Sequence, residues 1–228
     1  GYNIWFFLHG RIKGILKANN HQSIEIIHNN INEGYSYKIY DIKHGRLYTD
    51  TVSDTAFILD AKIIEGPTFQ LRNSKNSQIS NNIVFEKGTP KFKNKLKGKV
   101  FSLLTGGGGN ANYFHWLFDV LPRINILENK VDLKKIDYFL FPNLKEKFQT
   151  ETLDLLDIPL SKRISSIEFR HIQSNNLLAV DHPYVIKNDP TNEIQNIPGW
   201  IIKYLRNKFL EKAIKYKTNE TPKKIYID

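Results

Sequence analysis

Between Gly106 and Arg123 the chain concentrates residues able to move protons and hold charge. Four consecutive glycines, Gly106 to Gly109, lead through Asn110-Ala111-Asn112 into a segment with His115, Asp119 and Arg123 at intervals of four. At about 100° per residue, positions four apart share a helix face, so a helix here presents imidazole, carboxylate and guanidinium as one polar stripe. Trp116, Val120, Ile124 and Leu127 form an adjacent apolar stripe suited to packing on a sheet. A carboxylate beside a histidine orients the ring and favours its charged form, which makes His115 the better base candidate and Asp119 its orienting partner. Asp119 is the other base candidate. Arg123 can pair with Asp119 or reach a phosphate or a substrate acid. Asn112 can cap the helix or contact substrate. Gly107 and Gly108 can offer backbone amides to an anion, and Trp116 reads as core with sugar stacking as its functional alternative.

These residues leave several readings open. The simplest is a structural His–Asp pair that ties the helix down. Gly106-x-Gly108-x-x-Ala111 formally matches a dinucleotide fingerprint, but four glycines in a row make that match cheap. The next strand also ends in Phe141-Pro142 rather than in an acid for a ribose. His115 and Asp119 could be two metal ligands, yet no third ligand with convincing spacing follows, so no metal is expected. The last reading is a sugar-transfer site.

The elements that must position these residues follow from periodicity. Residues 1–97 read as a β-rich lead-in, with strand candidates at Ile24–Ile27, Tyr35–Asp41, Asp54–Asp60 and Ile83–Glu86. The Asn/Ser-rich stretch Asn73–Asn82 reads as a loop. Residues 98–228 alternate strand and helix: Lys99–Leu104, then helix Asn112–Asn129, strand Ile136–Phe141, helix Leu144–Leu156 and strand Ile164–Phe169. Extended Leu177–Val185, helix Pro198–Tyr216 and strand Lys224–Ile227 complete the series. Such alternation predicts right-handed crossovers and a doubly wound α/β domain with a parallel sheet. Ligands bind at the C-terminal edge of such a sheet, where the glycine loop falls.

Composition narrows the class. The 228 residues contain no Cys, which removes disulfides and thiolate metal sites and favours a reducing compartment. No Met is present, residue 1 is Gly, and the last residues form a strand-like run, so the chain is expected to be a segment of a longer protein. No apolar run reaches the length of a membrane span, and Tyr2–Leu8 is short. The net charge of +10 reads first as a generic basic surface and second as a face for phosphate, anionic glycan or lipid headgroups. Lys91, Lys93, Lys95, Lys97 and Lys99 share one face if extended; the plain reading is a lysine-protected edge strand, the functional one a track for an anionic acceptor or membrane surface. No nucleic-acid motif accompanies them. His171 and His182-Pro183-Tyr184 are isolated in sequence and are assigned to structure.

The string Asn112-Tyr-Phe-His-Trp-Leu-Phe-Asp-Val-Leu-Pro-Arg123 after a glycine-rich loop resembles the signature of glycosyltransferase family 61. Phe139-Leu-Phe-Pro142 resembles that family's second strand. Leu153-Asp-Leu-Leu-Asp-Ile158 with Arg163-Ile164 resembles a helix end and the strand after it, with Asp157 where the family more often has Gly. Lys224-Ile-Tyr-Ile227 resembles a tyrosine-containing strand that normally continues into Ser-Arg, and Asp228 stands at the Ser position. The likeness covers roughly residues 98–228, and its wording is specific only near the start. It implies the N-terminal, acceptor-side half of a GT-B-like fold with a Rossmann-like domain, the donor domain lying outside this chain. It also implies inverting sugar transfer from a nucleotide-sugar donor to a glycan acceptor in bacterial surface-polysaccharide or capsule synthesis. No further cofactor is implied, and the location would be cytoplasmic, at the inner face of the membrane. Under this reading the chain alone would be inactive or nearly so. The rival classes are a non-catalytic glycan- or sugar-nucleotide-binding module and a metal-dependent hydrolase using His115 and Asp119.

Overall fold

The computed structural model describes residues 8–31, 34–51, 54–68, 78–105, 111–184 and 197–215. The lead-in provides β1 (His9–Gly10), β2 (Ile15–Lys17), β3 (Ile24–Ile31), β4 (Tyr35–Lys43), β5 (Arg46–Thr49), β6 (Thr55–Leu59), β7 (Lys62–Glu65), helix α1 (Val84–Lys87) and β8 (Thr89–Pro90). Then follow β9 (Asn94–Ser102), α2 (Tyr113–His115), α3 (Leu121–Glu128), β10 (Tyr138–Phe141), α4 (Lys147–Leu155), β11 (Arg163–Ser165), β12 (His171–Val180) and α5 (Gly199–Ile214). The glycines Gly106 to Gly109, the run Tyr2–Phe7, residues 73–77, Val185 and the expected strand Lys224–Ile227 lie outside the described residues.

The fold is mixed α/β around one large mixed sheet. Strands β9 to β12 are mutually parallel in the spatial order β11-β10-β9-β12. The chain thus builds outward from β9 in one direction and then returns to β9's other side. On its free edge β12 forks: residues 171–173 pair antiparallel with β5, and residues 176–180 pair antiparallel with β4. Lead-in strands and parallel strands therefore belong to one hydrogen-bonded sheet.

Period-two alternation sorts the core. Phe101, Leu103, Phe139, Phe141, Leu178 and Val180 point to the face that carries the helices, where Trp116, Val120, Ile124, Leu127, Leu153 and Ile201 meet them. Val100, Leu140, Leu177 and Ala179 point the other way, onto Tyr40, Ile42, Leu47 and Phe57 from the lead-in. Full burial of each large apolar side chain contributes about 2 kcal/mol. A doubly wound sheet needs helices on both faces. Here α3 touches α5 and α4 touches α5 on one face, while lead-in side chains cover the other.

Several local expectations change. Ile83–Glu86 lies at the helix α1, not in a strand. Asp54 accepts the Ile83 amide at 3.0 Å, Asn82 accepts the Val84 amide at 3.2 Å, and Gly88 at φ 68° closes the turn. The Ile164–Phe169 strand shortens to Arg163–Ser165, and the last parallel strand begins at His171 rather than Leu177. The lysine run is not a plain edge. Its strand, β9, is held between β10 and β12 at residues 100–101, while residues 94–96 pair with β12 alone. A bulge at Lys97-Gly98, with Gly98 at φ 97°, breaks the alternation that would have put the five lysines on one face. Lys99 turns to Asp41 at 3.8 Å.

Candidate functional site

Beyond β9, the Oδ1 of Asn112 accepts the His115 amide at 3.2 Å. Asn112 is thus the helix N-cap, as its residue type predicts. The following helix does not run evenly. Pro122 has no N–H to give to the carbonyl four residues back, and its ring crowds that carbonyl. The backbone widens into a π-helical turn over Trp116–Val120, and the Leu121 amide bonds Trp116 O, five residues back.

This turn sets the site. His115 remains partly exposed at 22% of its side chain, and its Nδ1 lies 2.7 Å from Asp119 Oδ2. Asp119 is fully buried, and its other oxygen, Oδ1, accepts the Tyr184 hydroxyl at 2.5 Å. Both carboxylate oxygens are therefore engaged. Such an arrangement fixes the orientation of the imidazole ring. A metal at this carboxylate would have to displace both partners. Among the described residues, no group of three or more His, Asp or Glu side chains is placed to hold a metal ion.

Arg123 departs from its expected pairing. Its Nε donates to the Asp119 main-chain carbonyl at 3.0 Å and its Nη1 to Val180 O at 3.5 Å, and among the described residues it pairs with no carboxylate. The extra residue of the π turn carries Arg123 past the Asp119 side chain. Burial lowers the guanidinium to about 10, opposed by the nearby charges of Asp119 and Asp181. It stays charged near neutrality, and Nη2 is buried without a hydrogen-bond partner among the described residues. Trp116 is fully buried, lies tilted against Phe141 and edge-on to Phe148, and donates Nε1–H to Thr152 at 2.9 Å, so it is core. Gly107 and Gly108 lie outside the described residues.

His182-Pro183-Tyr184, read from sequence as isolated, joins the site from the end of β12. Tyr184 holds Asp119, and the His182 ring stands edge-on to Tyr184 at 4.6 Å, with Nε2 3.9 Å from Asp119 Oδ1. Burial pushes His182 down to about 4, against the pull of Asp119, so it is neutral at physiological pH. The segment is pinned from β4. Asp181 accepts the Lys38 amide at 2.7 Å and the Tyr40 hydroxyl at 2.9 Å, while Tyr37 donates to Pro183 O at 2.7 Å. Trp200 of α5 donates to Tyr37 in turn at 2.9 Å. A polar-aromatic triplet just after a strand was the available signal, but only the strand order shows that it sits beside β9.

That order gives the site its location. His115 and Asp119 follow β9, Tyr184 follows β12, and between these neighbours the build direction reverses. Such a reversal opens a crevice outside the strand ends, where α/β sheets bind ligands. A cavity of about 530 Å³ lies instead toward the N-terminal end of β10, among Glu128, Leu133, Phe139, Ile158 and Lys162. Two of its charges are committed: Glu128 pairs with Lys208 at 3.0 Å, and Lys162 donates to the carbonyls of Lys134 and Ile136. His171 and the lysines stand away from the site, at the start of β12 and β9.

No protein-family model, no curated protein and no solved structure matches the chain. Among the described residues, no helix is long and apolar enough to cross a membrane.

Proposed function

We propose that this chain is the acceptor-side part of an inverting glycosyltransferase, with a Rossmann-like half of a GT-B-like fold and His115 as its general base. The observation that carries the reading is the His115–Asp119–Tyr184 chain of hydrogen bonds at the reversal between β9 and β12. Asp119 fixes the imidazole through Nδ1, so Nε2 takes the proton from an acceptor hydroxyl as that oxygen attacks the anomeric carbon. The bond from that carbon to the donor phosphate breaks, and the nucleotide diphosphate leaves with the electron pair. Asp119 stabilises the imidazolium that forms, and Tyr184 keeps Asp119 in place.

The resemblance of Asn112–Arg123 to the family 61 signature supports this reading. So does Asp157. It sits at φ 57°, at the end of a helix closed by Ile158 N to Leu153 O and Asp157 N to Asp154 O, a backbone position that favours Gly. The family's preference for Gly there thus has a physical reason in this chain.

The test is turnover of a panel of nucleotide sugars by the full-length protein. His115→Ala should lower kcat by roughly 10²- to 10⁴-fold, the usual worth of a general base, with the circular dichroism spectrum unchanged. Full activity in both His115→Ala and Asp119→Ala would refute the site. Saturable binding of a glycan or sugar nucleotide without turnover would favour the binding-module reading.

A further inference from the structure

At the other end of the same strands, cations gather without acids. Arg46 of β5, Gln173 of β12 and Lys95 of β9 share one register position, so their side chains stand side by side on one face of the sheet. Lys93 lies close enough to Arg46 and Lys95 for both to disfavour its charge, in addition to its own partial burial. Burial likewise lowers the Arg46 guanidinium. Among the described residues, no carboxylate lies within ion-pair distance of Arg46, Lys93 or Lys95. Folding holds three like charges together, and an external anion is what would relieve them.

A second observation gives the anion its setting. Phe92, next to Lys93, is 82% exposed. Leu8 is 45% exposed and is joined to the same corner by the bond from Lys91 N to Leu8 O at 2.8 Å. A soluble polyanion gains little from a bare phenyl ring. A bilayer takes the ring at headgroup depth while the surrounding ammonium groups meet lipid phosphates.

We infer that this corner docks on an anionic lipid bilayer, with Phe92 inserted and Arg46, Lys93 and Lys95 against the headgroup phosphates. The inference does not depend on sugar transfer, because the surface lies at the N-terminal end of β9, whereas His115 and Asp119 follow the strand's other end.

Co-sedimentation of the full chain with phosphatidylcholine vesicles, with and without phosphatidylglycerol, tests it. Binding is expected only with phosphatidylglycerol and should weaken as salt rises. Lys93→Gln with Lys95→Gln should cost roughly twenty-five-fold, at about fivefold per charge. Phe92→Ala should cost roughly tenfold, with little salt dependence. Tryptophan placed by Phe92→Trp should shift its emission to the blue on adding the anionic vesicles, a readout that a fold defect would not supply. Equal binding to neutral vesicles, or unchanged binding in both variants, overturns the inference. So does tight binding to a soluble sulfated polysaccharide with none to vesicles, which would make the corner a glycan track.

Discussion

His171 and His182 stand at the two ends of β12, and burial depresses both to about 4, yet they have opposite neighbours. His171 accompanies Arg46 and Lys93, whose charges push it further down. His182 accompanies Asp119, which pulls it up, with Arg123 and His115 opposing. One strand thus separates a basic end open to solvent from a buried end where a carboxylate organises the ring nitrogens and hydroxyl around it. The same physical cause, desolvation, keeps both rings neutral. The neighbouring charge decides what each end can do.

The largest effect that would break this contrast is removal of the organising carboxylate. Asp119→Asn should cost roughly 4 kcal/mol of stability in urea unfolding, because the negative charge is lost and one of its two buried donors then faces the amide N–H rather than an acceptor. Tyr184→Phe should cost about 1.5 kcal/mol, the worth of one hydrogen bond to a charged group. A cost near zero for Asp119→Asn would mean that the cluster holds nothing together.

Acid comes next. A histidine held at about 4 in the fold but at 6.5 when unfolded binds fewer protons folded than unfolded between those values. Stability is therefore full above pH 6.5 and declines as pH falls toward 4. His182 alone accounts for about 3 kcal/mol of that decline. Urea midpoints across this range should fall with acid in the parent chain and fall less in His182→Gln. An identical slope in the two proteins would show that His182 is not held neutral.

The smallest effect is also the most discriminating. Arg46→Gln removes a repelling neighbour and should raise the His171 titration midpoint, whereas Asp119→Asn removes an attracting one and should lower that of His182. Imidazole ¹⁵N shifts report both. Arg46→Gln should change stability by less than about 1 kcal/mol, in the stabilising direction. Shifts in the same direction would erase the distinction between the two ends.

Much of this could be read in the chain. Asn112 announces its cap, and the spacing of His115 and Asp119 brings them together as one turn of helix dictates. The alternation in β9 and β10 separates Phe101 and Phe139 from Val100 and Leu140. Two of the failures share a cause, which is that partners distant in sequence leave no local trace. Tyr184 meets Asp119 only because β12 lies beside β9. The Ile83–Glu86 run is apolar enough for either structure, and Asp54, far upstream, accepts the Ile83 amide and so decides for helix. Pro122 was visible, but its consequence, a widened turn that moves Arg123 off the Asp119 carboxylate, depends on how the helix yields rather than on spacing. The lysine run misleads because Gly98 interrupts it.

The fork in β12 has a consequence for synthesis. Residues 39–43 of β4 find their partners at residues 176–180, so on the ribosome β4 emerges long before the strand that flanks it. Until then it has β3 on one side and open amide and carbonyl groups on the other. The nascent chain must carry that half-finished edge through most of its elongation, which makes it a natural client for a chaperone that shields extended backbone. Hydrogen exchange on stalled nascent chains would show the amides of β4 that face β12 becoming protected only once residue 180 has cleared the exit tunnel.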